Sequence, residues 1–308
     1  KGMEVRLWVR EPEIAGSIAA TGENPVYMPG VKLSANVTAD TDLPKMVEDA
    51  KLVLMVAPCQ VWRGVLREMR PHMRDDAVVI SASKGVEVEG LKRMEEVAAA
   101  ELAGMDTVYA ALSGPSFAKE VIAGKPTAAV IACRDITWAD RLRDLFSSEI
   151  FRFYSSRDVT GVELGGAVKN VIAIAAGLSD GLGFGLNAKA ALITRGLVEI
   201  TRLGLALGAS ASTFTGLSGV GDLILTATGD LSRNRQVGLR TAEVGAKDAL
   251  AGMTQVAEGV RTAEAVHFLS QKLEVDMPIC AAVYRVFYED KDPREEVLGL
   301  MTRELKGE

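Results

Sequence analysis

Along the first half of the chain, short apolar runs alternate with longer amphipathic stretches. The runs predict strands over Val5–Arg10, Leu52–Ala57, Val78–Ala82, Val108–Leu112, Ala128–Ala132 and Phe151–Tyr154. The stretches between them predict helices over Pro12–Ala20, Leu43–Asp49, Val61–Met69, Leu91–Leu102, Phe117–Ala123 and Trp138–Phe146. Runs such as LVLMVA lack the apolar–polar alternation of a half-exposed strand, so they suit strands buried on both faces. Strand–helix alternation predicts a mostly parallel, doubly wound sheet with ligands at the carboxyl ends of its strands.

From Asp158 onward the pattern changes. TGVELGGAVKNVIAIAAG, NAKAALITRGLVEITRLGLALG, RNRQVGLRTAEV, GVRTAEAVHFLSQKL and PICAAVYRVFYE all carry helical periodicity, and no convincing strand follows. Pro278 and Pro293 suit first-turn positions, where a missing N–H costs nothing. The chain therefore divides into an α/β unit over 1–157 and an all-α unit over 158–308, joined near the polar SSRD stretch.

Composition narrows the chemistry. Two histidines and three cysteines serve 308 residues. His72 lies in a polar loop and His267 on a helical face, so a histidine triad or multi-histidine metal site has little to draw on, and no metal is expected. Cys59, Cys133 and Cys280 are far apart without a CxxC, which predicts reduced, buried thiols in a cytoplasmic protein. Acid–base work then falls to Lys, Asp or Glu. The net charge of −6 offers no basic footprint for nucleic acid, so an anionic ligand needs local cations. No uninterrupted apolar run reaches the roughly 18 residues of a membrane helix.

A dinucleotide-binding, Rossmann-type unit carries G-x-G-x-x-G between its first strand and first helix. The front of this chain has none, and EVRLWVRE reads as the second strand of such a unit. The glycine loop is then expected about 20 residues upstream, before Lys1. Arg10 ends that strand. It is either a solvated surface cation or the partner of a 2′-phosphate, the latter favouring NADP over NAD.

Several motifs carry candidate chemistry, each with a plainer reading beside it. SASKGVE sets Lys84 just past a buried strand, either facing an oxyanion or simply exposed in a turn. LSGPSFAKEV puts Gly114 after another strand and predicts Ser116 as a helix cap, leaving N–H groups toward the sheet edge. Lys169 and Asn170 interrupt a helix of small and apolar residues, where burial lowers a lysine pKa toward neutrality; Gly165 and Gly166 beside them admit a ligand or a second backbone. Glu163 is predicted to share a helical face with Asn170. Asp222 follows a glycine pair, as a lysine partner or an N-cap. Ser232 is predicted to cap a helix whose first turn holds Arg233 and Asn234, an arrangement that suits a bound phosphate.

In order, LWVRE, LVLMVAPCQ, ISASKGVE, LSGPSFAKEV, GVELGGAVKNVIAIAAGLSDGLGFGLNAKAALITRG, GLSGVGDLILTATGDLSRNR and VAEGVRTAEAV resemble the bacterial NAD(P)-dependent glycerol-3-phosphate dehydrogenases. The resemblance runs from Glu4 onward. It implies a Rossmann-type domain followed by an all-α domain of the 6-phosphogluconate-dehydrogenase-like type, and a cytoplasmic homodimer. It implies reduction of dihydroxyacetone phosphate to sn-glycerol 3-phosphate with NADPH or NADH, supplying phospholipid synthesis. Carried onto matching positions, Lys169 is the acid–base, Lys84 touches cofactor and substrate, and Asp222 supports the reacting oxygens. Gly114 and Ser116 line the substrate, while Ser232, Arg233 and Asn234 hold its phosphate. Arg10, Ala118, Arg233, Val256 and Glu258 match cofactor positions. The family's G-x-G-x-W-G stretch is missing. A non-catalytic ligand-binding relative and a 3-hydroxyacid dehydrogenase of the same superfamily stand as alternatives.

Overall fold

The computed structural model describes residues 2–251 and 257–302. The first half contains strands β1 (Val5–Trp8), β2 (Glu23–Asn24), β3 (Met28–Lys32), β4 (Val37–Asp40), β5 (Leu52–Met55), β6 (Val78–Ser81), β7 (Val108–Ser113), β8 (Thr127–Ala132) and β9 (Phe151–Ser156). Helices α1 (Pro12–Thr21), α2 (Leu43–Val47), α3 (Cys59–Met69), α4 (Met94–Glu101), α5 (Ala118–Ile122) and α6 (Ile136–Phe146) lie between them. The strands β5-β6-β7-β8-β9 form one five-stranded sheet in that order. β1 pairs in parallel with β4 in a separate ribbon, and β2–β3 is an antiparallel hairpin.

Strand β6 explains the layering. Its residues are buried throughout, and successive side chains point to opposite faces. Val79 joins Trp62 and Leu66 of α3 and Val97 of α4 on one face. Val78 and Ile80 join Ala139 and Leu142 of α6 on the other. The sheet is parallel except at β7–β8, which runs antiparallel. The connection between these two strands runs through Gly114 and the five-residue α5.

The second half is helical among the described residues: α7 (Val159–Gly181), α8 (Gly185–Ala206), α9 (Ala211–Phe214), α10 (Asp222–Thr228), α11 (Arg233–Val244), α12 (Ala246–Ala251), α13 (Glu258–Lys272), α14 (Pro278–Tyr288) and α15 (Pro293–Met301). Pro278 and Pro293 both open helices. α7 is the axis of this unit. By length and composition it qualifies as a membrane span, although Glu163, Lys169 and Asp180 interrupt its apolar sequence. Yet 94% of its most apolar window is buried inside the chain. Its Leu164, Val168, Ile172 and Ile174 share one core with Ile200 of α8, Val237 of α11 and Val266 of α13. Its first turn also reaches the sheet, where Val159 and Val162 pack with Ala111 and Ala132. The Asp158 side chain starts the helix by accepting the Gly161 N–H at 2.9 Å.

Candidate active site

The carboxyl ends of β6 and β7 face the middle of α7, and the candidate residues meet there. Lys84 follows β6, and its ammonium donates to Asp222 Oδ2 at 2.7 Å and to the Gly114 carbonyl at 3.1 Å. Lys169, on α7, donates to the other oxygen of Asp222 and to Thr226 Oγ1, the latter at 2.8 Å. Lys169 and Asp222 are buried, and Lys84 is the more exposed lysine at 21% of its side chain.

Two features of the sequence allow this approach. A Cβ on Gly165 would lie 2.3 Å from the Ser218 carbonyl oxygen, and one on Gly166 would lie 2.5 Å from Ser113 Oγ. The paired glycines therefore let α7 lie against the turn leading into α10 on one side and the end of β7 on the other. What approaches them is backbone and sheet edge. Asp222 and Thr226 are one helical turn apart and face Lys169 together.

The electrostatics follow from burial and the shared charge. Burial and the nearby Lys84 charge lower the Lys169 pKa from its ordinary 10.5 to about 7, against the opposing pull of Asp222. Burial pushes Asp222 up, but the two ammonium groups prevail and hold it below the usual carboxylate value. An ionised carboxylate thus sits between two lysines, one of them poised near neutrality.

A chain of amides surrounds this centre. Asn170 donates from Nδ2 to the Lys84 carbonyl at 3.2 Å and accepts from Asn234 Nδ2 at 3.0 Å. Asn234 Oδ1 in turn accepts the Gly259 N–H at 3.0 Å. Glu258, the first residue of α13, accepts the Cys59 N–H at the start of α3, at 3.1 Å. Burial raises its pKa, opposed by that N–H and by the charges of Arg233, Lys84 and Lys169. The carboxyl group therefore lies within electrostatic reach of the lysine centre.

Other expected residues fall at varied distances from this centre. Gly114 is directly in it. Ser116 does not cap a helix: Phe117 occupies the N-cap of α5, and Ser116 donates to the Gly114 carbonyl at 3.1 Å. Ala118 opens α5. Ser232 does cap α11, accepting the Arg235 N–H at 3.2 Å, and Arg233 and Asn234 form the first turn beside it. The second arginine of SRNR, Arg235, is held instead by Asp180 and Asp230 at 2.7 and 2.9 Å. Arg10 lies just past the end of β1, its side chain 77% exposed and paired with Glu11. Val256 falls outside the described residues. Glu163 and Asn170 both face the α/β unit, but Glu163 contacts Arg93 and Tyr109 and takes no part in the lysine centre. Thr226 joins the site without having been singled out; its four-residue spacing from Asp222 was the available signal. His72 and His267 stay outside, with His267 stacked on Tyr284.

The chain matches two family profiles. One describes the N-terminus of NAD-dependent glycerol-3-phosphate dehydrogenase, over residues 1–139, and the other its C-terminus, over residues 158–298. A glycerol-3-phosphate dehydrogenase (NAD(P)+) of Nitratidesulfovibrio vulgaris is 57% identical over 309 residues, covering 100% of this chain and 94% of the relative. The crystal structure of a glycerol-3-phosphate dehydrogenase from Coxiella burnetii superposes with a TM-score of 0.94 at 39% identity, over 98% of this chain and 92% of the other. The yeast enzyme of the same name superposes with a TM-score of 0.81 at 28% identity, over 97% and 90%. The chain belongs to the NAD-dependent glycerol-3-phosphate dehydrogenase family.

Proposed function

We propose that this protein interconverts dihydroxyacetone phosphate and sn-glycerol 3-phosphate by hydride transfer with NADPH or NADH. The observation that carries the reading is the buried Lys169–Asp222–Lys84 array at the carboxyl edge of the sheet. The donor set fits a dinucleotide: an exposed guanidinium at the end of β1, a lysine past β6 and a carboxyl group at the start of α13. In this reading Arg10 holds the adenosine end, and Ala118, Arg233, Val256 and Glu258 serve the rest. Residues 1–157 then form the dinucleotide-binding domain and 158–308 the substrate domain.

The nicotinamide supplies the hydride that reduces the ketone carbon. As that bond forms, negative charge builds on the ketone oxygen. Lys169 gives this oxygen a proton, and a group poised near neutrality is suited to move a proton in either direction. Lys84 stabilises the developing charge. Asp222 keeps both ammonium groups in place and raises the proton affinity of Lys169. Gly114 and Ser116 line the substrate. Ser232, Arg233 and Asn234 take the phosphate at the start of α11, where the helix dipole and the guanidinium both attract an anion. The same reading has the protein work as a cytoplasmic homodimer whose product feeds phospholipid synthesis.

One assay tests it: loss of NADPH or NADH absorbance on adding dihydroxyacetone phosphate, with a 3-hydroxyacid and NAD(P)+ in a parallel run. Substrate-dependent oxidation is expected. Turnover of the 3-hydroxyacid alone assigns the other dehydrogenase activity. Phosphate-ester binding without turnover under either condition makes the chain a binding protein.

A further inference from the structure

A second cluster of buried charge lies at the start of α7, away from the lysine centre. The Glu163 carboxylate is 7% exposed and accepts three donors from the α/β unit: Arg93 Nη1 at 2.7 Å, the Glu95 backbone N–H at 2.9 Å and Tyr109 Oη at 2.6 Å. Arg93 precedes α4, Glu95 lies in its first turn, and Tyr109 is on β7. The helix that carries Lys169 is thus tied to both a strand and a helix of the other unit.

The reaction described above makes no use of this carboxylate. Taking it out of water costs several kcal/mol, which its three donors offset, and apolar side chains would close the same seam without that cost. The tie also has a direction. Lys169 lies six residues further along α7, about 9 Å along the axis at about 1.5 Å per residue. Between the two, Gly165 and Gly166 leave no slack against Ser218 and Ser113. Asn170 makes the second tie, to the Lys84 carbonyl. Shift or rotation of α7 at Glu163 is therefore transmitted to the Lys169 ammonium and its fit to Asp222.

We propose that Glu163 is a positioning residue for Lys169, latching α7 to α4 and β7 so that the ammonium meets Asp222 and the substrate oxygen in register. The inference rests on the proposed reaction for its kinetic consequences. The charged and titratable groups facing the latch are Arg93, Glu95 and Glu96 from α4 and its cap, Tyr109 from β7, and, behind Glu95, Arg134 after β8. Burial raises Glu163 to about 7, against the Arg93 charge and the Tyr109 hydroxyl. Below that pH the carboxylate takes a proton and its hold on Arg93 weakens.

The test compares wild type with Glu163→Gln and Tyr109→Phe, the latter keeping the Arg93–Glu163 pair. We expect Glu163→Gln to lower kcat by about 10²-fold with KM for substrate and cofactor within about twofold, the pattern of a misplaced reacting group. The acid limb of the wild-type kcat profile for ketone reduction, below about 7, disappears in this variant, and Tyr109→Phe loses kcat in the same direction but less. Full kcat per folded molecule with an intact acid limb in Glu163→Gln overturns the latch, whatever its melting temperature. If Glu163→Gln does not fold, unchanged kcat and acid limb in Tyr109→Phe overturn it. NMR titration of the isotope-labelled Lys169 ammonium gives a readout independent of turnover. Its midpoint is expected to move in the variants, and an unmoved midpoint overturns the latch. An inactive wild type refutes the proposed reaction instead, and the titration still decides the latch.

Discussion

Lys84 and Lys169 hold opposite oxygens of one carboxylate. They reach Asp222 from different units of the chain, 138 and 53 residues away in sequence. Each ammonium is therefore fixed by a group that the other also depends on. The first consequence concerns Lys169. Its replacement by Ala removes the proton donor while Lys84 and Asp222 remain paired. Loss of a positioned acid–base group costs about 10²–10⁴-fold in rate. Steady-state kinetics of Lys169→Ala should show that loss in kcat with little change in cofactor KM, and near-normal turnover excludes the assignment.

The lowered Lys169 pKa sets the pH dependence. Ketone reduction needs the protonated amine, so its kcat should fall as pH rises through about 7. Alcohol oxidation needs the neutral amine and should rise over the same range. The stability term has its own sign: between about 7 and 10.5 the folded chain holds fewer protons at this site than the unfolded one. This group's contribution to stability therefore increases with pH across that window. Profiles of both directions, with denaturant midpoints on the same buffers, check the pair of trends. Identical pH trends in the two directions count against Lys169.

Arg233 lies at the start of α11, beside the cap made by Ser232. Charge-assisted hydrogen bonds are worth about 1.5–3 kcal/mol. Arg233→Ala should therefore raise KM for dihydroxyacetone phosphate by about 10–150-fold. An unchanged KM removes this residue from the phosphate site.

Arg10 bears on cofactor choice. It projects from the end of β1, with Glu11 as its side-chain partner among the described residues. A guanidinium there accommodates a 2′-phosphate, and an acidic residue prefers the free ribose hydroxyls. Arg10→Ala should raise KM for NADPH more than for NADH. An equal effect on both assigns the side chain to the adenosine or to solvent.

Gly165 offers a stability test. An added methyl group would meet the backbone of Ser218 rather than a flexible side chain. Overpacking of this kind typically costs about 1–3 kcal/mol. Gly165→Ala should lower the denaturant midpoint accordingly, and a midpoint equal to wild type shows that the Ser218 turn can retreat freely.

What the sequence revealed depended on how its signals were distributed. β5, β6 and β7 are continuous apolar runs, although β5 leaves Leu54 half-exposed instead of buried on both faces, and α7 is long and mostly apolar, so both could be read locally. The hairpin β2–β3 and strand β4 were not foreseen. MPGVK and VTAD are short, partly exposed and mixed with Pro, Gly and Asp, so they lack the buried-strand pattern. The cap at Ser232 follows from side-chain chemistry next to a helix, whereas Ser116 lost that role because its hydroxyl is drawn back to the Gly114 carbonyl. Lys169 could be picked out as a cation among small residues. That Asp222 bridges it to Lys84, and that Thr226 completes its shell, depends on contacts between segments far apart in sequence.

The placement of Lys169 in the middle of α7 has a consequence for motion. A helix enclosed by α8, α10, α11 and α13 cannot open by itself without exposing the core it shares with them. Its amide hydrogens are therefore expected to be among the best protected in the chain. Loops can adjust around the substrate, but the proton donor rides on the slowest-opening part of the chain. Amide exchange along α7 is therefore expected to track opening of the helical unit, and a substitution that destabilises this core is expected to speed it.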